Sequence, residues 1–242
     1  MAESNRVALI TGASRGLGAV IARVLAERGC DLVLGARDAE PLNRSAAALR
    51  APGRKVVAID GDVADESTRT RLVNAARALG GLHLLVNNAS ALGPIGPLST
   101  ADEDRFVRVI QVNVIAPLAL VQLAQPLLAE HRGLVVNVSS DAAHAAYPGW
   151  GQYGASKAAL ELVTRTLAVE LLETGVAVVI VDPGDMRTRM HQDAFPGQDI
   201  SDRPLPEVTV PFWTWLFDQP PAEVTGQRFA AQQEDRRWLQ PA

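Results

Sequence analysis

A glycine-rich turn near the amino terminus is the first segment of this sequence whose residue types and spacing could bind a ligand. Residues 11–18 (TGASRGLG) follow an apolar run at residues 7–10 and open a predicted helix. Glycines permit a tight turn and close backbone approach to a pyrophosphate, and a helix amino terminus offers free N–H groups with a partial positive charge. The spacing G-x-x-x-G-x-G lacks the Lys-Ser/Thr pair of a P-loop. We therefore predict dinucleotide binding, the alternative being a glycine-rich turn that holds no ligand.

Two arginines beside this turn bear on which dinucleotide is bound. An acidic residue at the end of the second strand accepts hydrogen bonds from the NAD ribose, whereas a nearby Arg accommodates the NADP phosphate. Here Ala36 holds the usual acidic position, Arg37 follows it, and Arg15 in the turn is placed to close on the same phosphate. We assign Asp38 as the cap of the next helix, although it could bind a ribose hydroxyl. NADP(H) is the predicted cofactor, with NAD(H) the alternative if both arginines are solvated surface charges.

A tyrosine and a lysine one helical turn apart mark a second candidate site. Tyr153 and Lys157 project from one face of a helix predicted over residues 153–172, because residues four apart lie above one another. Ser140 comes thirteen residues before Tyr153, just after a strand predicted at residues 134–138. A Tyr-x-x-x-Lys pair alone is a weak signal, since it arises by chance on amphipathic helices. Its meaning depends on the elements that position it.

Short apolar runs rich in β-branched residues alternate with alanine-rich segments along the chain. This alternation predicts an α/β fold, in which a doubly wound, Rossmann-like parallel sheet of about seven strands has helices on both faces. The whole chain is predicted to be a single domain, residues 1–242, with an irregular, proline- and aspartate-rich insertion around residues 185–221 over the carboxyl edge of the sheet. The strands are predicted at residues 7–10, 31–35, 55–59, 82–86, 134–138, 177–181 and 227–231. The helices are predicted at residues 16–28, 39–50, 65–79, 101–130 and 153–172.

Composition and charge exclude several classes of protein. The 242 residues are 48% hydrophobic and 21% charged, which excludes collagen-like, disordered and coiled-coil proteins. A formal net charge of −4 disfavours a nucleic-acid-binding surface. The single cysteine, Cys30, permits neither an internal disulfide nor a thiolate zinc cluster, and we predict no metal site. The apolar stretch at residues 114–129 is broken by prolines and glutamines and is too short to span a bilayer, so we expect a cytoplasmic protein.

Taken together and in this order, these features resemble the short-chain dehydrogenase/reductase family, in its single-domain branch. The resemblance runs from residue 7 to about residue 188. It implies an NADP(H)-dependent oxidoreductase that transfers hydride between the nicotinamide and a carbonyl or secondary alcohol. Besides the glycine turn, the residues that carry it are Asn87, Asn88, Ala89, Asn113, Ser140, Tyr153, Lys157, Pro183 and Gly184.

The resemblance implies a role for each residue of the catalytic set. Tyr153 would be the general acid/base that protonates the carbonyl oxygen as hydride arrives, and Ser140 would hold that oxygen. Lys157 would lower the pKa of the phenol and hydrogen-bond the nicotinamide ribose. Bringing a phenol from a pKa of about 10 to near 7 takes about 4 kcal/mol, roughly what an ammonium about 4 Å away supplies at an effective dielectric constant of about 20. Asn113 would anchor a water that relays protons to Lys157.

The resemblance also implies the dinucleotide contacts. Asp62 and Val63 match positions that meet adenine, Asn88 matches an asparagine that braces the central strands, and Ala89 matches a residue lining the nicotinamide ribose. Ser90 stands where the family usually has glycine, which puts the local backbone angle in question. The expected dinucleotide-binding residues are Gly12, Ser14, Arg15, Gly16, Leu17, Gly18, Arg37, Asp62, Val63, Asn88, Ala89, Tyr153, Lys157, Pro183, Gly184 and Thr188.

The substrate side of the site is expected to form from residues 91–98, residues 141–150 and the 185–221 insertion, which would close as a lid. The candidate substrate contacts are His144, Trp150 and Met186. For His144 the alternative is a loop histidine without substrate contact, and for Trp150 it is packing. None of these residues names the substrate, which we expect to be a small carbonyl compound or alcohol.

Partners and a rival function complete the expectations. The helix predicted at residues 153–172 carries apolar residues on more than one face, and one face alone covers the sheet. Because family members pair through this helix, we expect a homodimer, with a homotetramer also open. The rival function is a non-catalytic, dinucleotide-binding redox sensor or regulatory protein on the same fold, which would bind the cofactor without turnover.

Overall fold

A sheet of seven parallel strands forms the centre of the computed structural model, which describes residues 6–233 and Trp238. Its strand order is β3-β2-β1-β4-β5-β6-β7. The chain order reverses between β1 and β4, which opens a crevice at the carboxyl ends of these strands. The predicted doubly wound fold is confirmed. The strands are β1 (Val7–Thr11), β2 (Asp31–Ala36), β3 (Val56–Asp60), β4 (Leu84–Asn87), β5 (Leu134–Val138), β6 (Ala177–Asp182) and β7 (Arg228–Ala230).

Helices cover both faces of this sheet. Helices α1, α2 and α8 contribute to the core on one face, and α3, α5 and α6 to the core on the other. A π-helical turn, Gln111–Ile115, separates α4 from α5 where a single helix was expected. The helices are α1 (Gly16–Glu27), α2 (Ala39–Ala48), α3 (Glu66–Leu79), α4 (Glu103–Ile110), α5 (Ala116–Glu130), α6 (Gly151–Glu170), α7 (Arg189–Ala194), α8 (Val210–Leu216) and α9 (Pro221–Val224).

The strands are apolar on both faces because both faces are covered. Along β1 the side chains alternate between the two cores, with Ala8 and Ile10 in one and Val7 and Leu9 in the other. All five residues of β1 are buried. This burial explains the continuous apolar runs, which are typical of strands in a parallel sheet.

The insertion predicted at residues 185–221 is not irregular throughout. Its first part, with α7, borders the cavity at the carboxyl edge of the sheet. Its second part folds into α8, which packs against α1 and buries Phe212 and Trp213 completely in the core. The segment that could move as a lid is therefore shorter than expected, because aromatic side chains hold α8 in place.

The stretch from Glu103 to Glu130 is long and apolar enough, by length and composition alone, to cross a membrane. Its most apolar window has a mean hydropathy of 1.7, and 44% of that window is buried. The stretch is thus longer than the expected apolar segment. Its side chains Leu120, Ala124 and Leu128 pack into the core against the sheet, as those of a core helix do.

Candidate active site

A cavity of about 1110 Å³ lies at the carboxyl ends of the strands and brings most of the predicted site residues together. All sixteen residues expected to bind the dinucleotide line it. Ser140 lines it as well, as do the substrate candidates Trp150 and Met186, whereas Asn113 lies behind the wall and His144 points elsewhere. Tyr153, Lys157 and Ser140 thus face the same space as the glycine turn.

The glycine turn has the backbone shape that a pyrophosphate requires. Gly12 and Gly16 have φ angles of +67° and +55°, in the left-handed region that favours glycine. A Cβ on Gly18 would lie 2.3 Å from the carbonyl oxygen of Gly12, so the helix approaches the turn too closely for any side chain. Arg15, the amino-terminal cap of the twelve-residue α1, makes no side-chain capping bond among the described residues. The first N–H groups of α1 therefore suit an anionic ligand.

Asn88 braces the glycine turn. Its Nδ2 donates to the carbonyl oxygens of Thr11 (2.9 Å) and Gly12 (3.2 Å), and its backbone N–H donates to Thr11 Oγ1 (3.0 Å). Because Thr11 is the last residue of β1, these bonds join the ends of β1 and β4, in keeping with the expectation that Asn88 braces the central strands. It stands just beyond β4, where the turn lies directly opposite.

The preceding asparagine, Asn87, braces the central strands as well. Asn87 Nδ2 donates to Asn137 Oδ1 on the neighbouring strand (2.8 Å), and Asn137 Nδ2 donates to Thr164 Oγ1 on α6 (2.8 Å). This buried chain of bonds ties β4, β5 and the helix that carries Tyr153. Two polar residues inside otherwise apolar strands were the signal that could have predicted it.

Acidic and basic side chains pair at the end of the cavity expected to hold adenosine. Asp38 occupies the N-cap position of α2, as predicted, but its side chain pairs with Arg15 and makes no capping hydrogen bond among the described residues. Asp62 pairs with Arg108 and also accepts the N–H of Ala64 (2.9 Å). Arg37 lines the cavity and is exposed to solvent. A phosphate bound at this end would lie near Arg37, and it would compete with the carboxylate of Asp38 for Arg15.

Tyr153 and Lys157 lie together on the buried face of α6, with exposed fractions of 7% and 2%. Lys157 Nζ donates to the carbonyl oxygen of Val138 at the end of β5 (2.7 Å) and lies 5.6 Å from the centre of the Tyr153 ring. Burial lowers the pKa of Lys157 to about 8, against the opposing charges of Asp182 and Glu161. The ammonium form still predominates at neutral pH.

The pKa of Tyr153 differs from the expectation. Burial raises it to about 12, although hydrogen bonds involving Ser140 and Ser90 lower it. Lys157 is not among the leading influences, so the expected pKa near 7 is not met. The physical reason is that a largely buried phenolate loses more solvation than its neighbours restore. At neutral pH Tyr153 therefore holds its proton, which is the form that a proton donor needs.

Ser140 caps a short turn at the end of β5. Its Oγ accepts the N–H of Ala142 (3.2 Å) and donates to Asp141 Oδ1 (3.0 Å), while Tyr147 Oη donates to the other carboxylate oxygen of Asp141 (2.5 Å). Ser90 contributes another hydroxyl near Tyr153, and its backbone lies outside the left-handed region. The serine replacing the usual glycine therefore causes no strain there.

Asn113 occupies the π-helical turn, a distortion often found at functional sites. Its Oδ1 accepts from Ala91 N (2.7 Å) and Ser90 Oγ (3.1 Å), and its Nδ2 donates to Ala91 O (2.8 Å) and Ser156 Oγ (2.9 Å). All four hydrogen-bonding positions of the amide are used. Asn113 thus links the loop after β4 to α6, and a relay water would have to bind its main-chain carbonyl.

Behind Ser140 and Lys157 lies a charged network that sequence reasoning missed. Glu161, whose side chain is 1% exposed, accepts from Ser139 Oγ (2.8 Å) and from Arg228 Nε (3.0 Å). Arg228 also pairs with Asp182 (3.0 Å). Burial raises the pKa of Glu161, but the hydrogen bonds from Ser139 and Arg228 outweigh it, and the net shift is downward.

His144 belongs to this network and not to the substrate space. Its Nε2 lies 2.7 Å from Glu161 Oε2, and it does not line the cavity. The structure therefore favours the alternative of a loop histidine without substrate contact. The i, i+4 spacing of Lys157 and Glu161 was the available signal for the network, because it places both charges on the Tyr153 face of α6.

Aromatic side chains form the substrate end of the cavity. Trp150 lies 5.9 Å from Tyr153, 5.8 Å from Phe195 and 6.1 Å from Tyr147, measured between ring centres. Met186 lines the cavity but is 93% buried and packs with the core. It is therefore part of the fixed wall of the cavity and not of a movable lid. These rings, which are tilted against one another, form an apolar surface beside the reactive groups.

Comparisons with known proteins agree with this geometry. Residues 6–199 match the protein-family model described as short chain dehydrogenase. A curated relative, dehydrogenase/reductase SDR family member 4 from Bos taurus, is 37% identical over 186 residues, covering 76% of this chain and 67% of the relative.

Two solved structures are similar over nearly the whole chain. A putative short chain dehydrogenase from Pseudomonas syringae is 32% identical with a TM-score of 0.88, covering 94% of both chains. A putative short chain dehydrogenase from Shigella flexneri, complexed with NADP, is 30% identical with a TM-score of 0.87, covering 95% of this chain and 98% of that one. With the matching fold, these likenesses establish that the chain belongs to the short-chain dehydrogenase/reductase family of oxidoreductases.

Proposed function

We propose that the protein is an NADP(H)-dependent oxidoreductase that transfers hydride between the nicotinamide and a carbonyl or secondary alcohol, with Tyr153 as general acid/base. The observation that carries the proposal is that Tyr153, Ser140 and Lys157 line the same cavity as the glycine turn. A site for proton donation thus lies within reach of a bound dinucleotide. Family membership supports an oxidoreductase, and the side chains support this chemistry.

Several features of the cavity support the binding of a dinucleotide. The uncapped amino terminus of α1 and the left-handed Gly12 and Gly16 suit the pyrophosphate. When bound, the nicotinamide supplies or accepts the hydride. Thr188 lies against the turn, since a Cβ on Gly16 would be 3.5 Å from its Cγ2, so the first residues of the insertion reach the phosphates.

In the reductive direction the protein must donate one proton to the carbonyl oxygen. Tyr153 is protonated at neutral pH, because burial holds its pKa at about 12. The hydroxyls of Ser140 and Ser90 lie beside the phenol. They donate to Asp141 and Asn113 in the structure, so each would have to turn toward the developing oxyanion in order to stabilise it. Lys157, still an ammonium at pH 7, lies 5.6 Å from the centre of the ring, where its charge partly offsets that of the phenolate without being a leading influence on the pKa of Tyr153. The reverse reaction needs the phenolate first, so we propose that reduction is favoured at neutral pH.

The proposed preference for NADP(H) rests on side chains at the end of β2. Ala36 supplies no carboxylate for a ribose diol, and Arg37 lines the cavity beside it. The pairing of Arg15 with Asp38 moderates the preference, because that arginine is already partly neutralised. NAD(H) therefore stays the alternative.

A panel of ketones, aldehydes and quinones tests the function. Oxidation of NADPH is followed by its absorbance, with NADH in parallel and the alcohol product identified by chromatography. The proposal predicts turnover of at least one class and a lower KM for NADPH than for NADH. Tight NADPH binding with no turnover across the panel would support the rival redox sensor, and a strong preference for NADH would refute the roles of Arg15 and Arg37.

We also propose a cytoplasmic homodimer formed through the face of α5 and α6. Both helices cover the same side of the sheet, and both leave large apolar side chains exposed. Exposed fractions reach 63% for Leu162 and 70% for Val169, which lie two turns apart on one side of α6. Light scattering after size exclusion should give twice the chain mass, and Leu162→Glu should give the monomer.

A further inference from the structure

One carboxylate of the cavity differs from all the others. Six aspartates line the cavity, and five of them pair with an arginine. Asp141 is the sixth, and among the residues that the structure describes no Lys, Arg or His lies within 4 Å of its carboxylate. It accepts only hydroxyl groups, from Ser140 (3.0 Å) and Tyr147 (2.5 Å). Asp141 is exposed, so water solvates its carboxylate in the free protein. A substrate that fills the cavity would displace part of this water, and a cationic group on the substrate would replace it.

The surroundings of Asp141 suit a cation. The rings of Tyr147, Trp150 and Phe195 line the same end of the cavity, with Trp150 at 6.1 Å from Tyr147 and 5.8 Å from Phe195. Faces of aromatic rings attract alkylammonium groups through their negative π surface. An anionic group would instead meet an unshielded negative charge. The carboxylate of Asp141 and the aromatic rings therefore both favour a cationic substrate group over an anionic one.

We propose that Asp141 determines substrate specificity by binding a protonated amine, so that the preferred substrates are aryl or alkyl ketones carrying a cationic amino group close to the carbonyl. This rests on the proposed function. A carbonyl oxygen bound to Ser140 lies about 3 Å from its Oγ, and Asp141 Oδ1 lies 3.0 Å from the same atom. The single hydroxyl proton of Ser140 is donated to Asp141 in the structure, so an ammonium bound to Asp141 would release that proton for the carbonyl oxygen. The ammonium and the carbonyl oxygen would then both lie beside Ser140, which limits their separation to a few bonds.

The bound cation would also assist the proton transfer. The charge of Asp141 opposes loss of the Tyr153 proton. An ammonium on Asp141 cancels that opposition just as the phenolate forms. We therefore expect a cationic substrate to show a higher kcat as well as a lower KM.

Two isosteric ketones test this inference: dimethylaminoethyl phenyl ketone, which is cationic at pH 7, and isopentyl phenyl ketone, in which a CH group replaces the ammonium. A charge-assisted hydrogen bond predicts that wild-type kcat/KM favours the cationic ketone by about tenfold or more at low salt. Asp141→Asn should reduce the ratio to within about threefold of one. The control Asp193→Asn removes a lining carboxylate that has an arginine partner and should leave the ratio unchanged.

The outcomes separate the inference from the proposed function. A wild-type ratio of one or less, or a ratio that Asp141→Asn does not change, overturns the inference. So does failure to turn over either ketone when other carbonyl compounds are reduced. If Asp141→Asn does not fold, the salt dependence of the wild-type ratio decides, since an ion pair weakens with ionic strength and an apolar preference does not. Absence of turnover on every carbonyl compound refutes the proposed function instead.

Discussion

Replacing Lys157 by methionine should change how the stability of the protein depends on pH. Burial lowers the pKa of Lys157 from its usual 10.5 to about 8. Between these values the unfolded chain holds a proton at this site that the folded protein lacks, so the free energy of unfolding rises with pH. Each unit by which the pKa is lowered corresponds to about 1.4 kcal/mol. At neutral pH the buried ammonium therefore lowers the free energy of unfolding by about 3 kcal/mol. From pH 7 to 9.5 the wild type should recover about 2 kcal/mol of that cost.

The assay compares the free energy of unfolding of the wild type and Lys157→Met in urea, followed by tryptophan fluorescence at one protein concentration. The variant also loses the bond to the carbonyl oxygen of Val138, but that loss does not depend on pH. The test is therefore how the difference in the free energy of unfolding changes with pH, and not its size at any one pH. The control is Lys55→Met, because Lys55 is exposed and is the only other lysine. The free energy of unfolding of the wild type minus that of Lys157→Met should rise with pH. A difference that stays constant or falls as pH rises would refute the reasoning.

Three further substitutions test the turn, the core and the charged network. Gly18→Ala should weaken NADPH binding at least tenfold in calorimetry, because its Cβ would lie 2.3 Å from Gly12 O, whereas Gly96→Ala, with no atom within 4 Å of the added Cβ, should bind normally. Trp213→Ala should cost about 3–5 kcal/mol in urea unfolding, since the ring is fully buried. Glu161 has a lowered pKa in the fold, so its stabilisation exists above its usual value of 4.5 and is lost as pH falls through the folded value. The stability advantage of wild type over Glu161→Gln should therefore shrink from pH 6 to pH 3, and a constant advantage would contradict the network.

The fold and the cavity could be predicted because local patterns determine them. The buried strands are continuous apolar runs, so β1 and β2 differ from their predicted bounds by one residue at the carboxyl end. Glycine is required at position 18 because the backbone there lies so close to the carbonyl oxygen of Gly12 that no side chain would fit. Tyr153 and Lys157 share a helix face simply because they are four residues apart.

What sequence reasoning missed depends on contacts between distant segments. Arg228 meets Glu161 across 67 residues, and only the position of β7 beside β6 brings them together. Asp38 pairs with Arg15 because the turn and the end of β2 meet at the sheet edge. The raised pKa of Tyr153 depends on the burial of its ring, which residue spacing does not reveal.

The most direct test of the account is the effect of Tyr153→Phe on the reduction of the best ketone of the panel. The phenyl ring preserves the shape of the wall and removes only the hydroxyl. If Tyr153 donates the proton, kcat should fall at least about a hundredfold while the Kd for NADPH, measured by fluorescence titration, stays within threefold. A variant that binds NADPH normally and retains more than a tenth of the wild-type kcat would contradict the central role of this phenol.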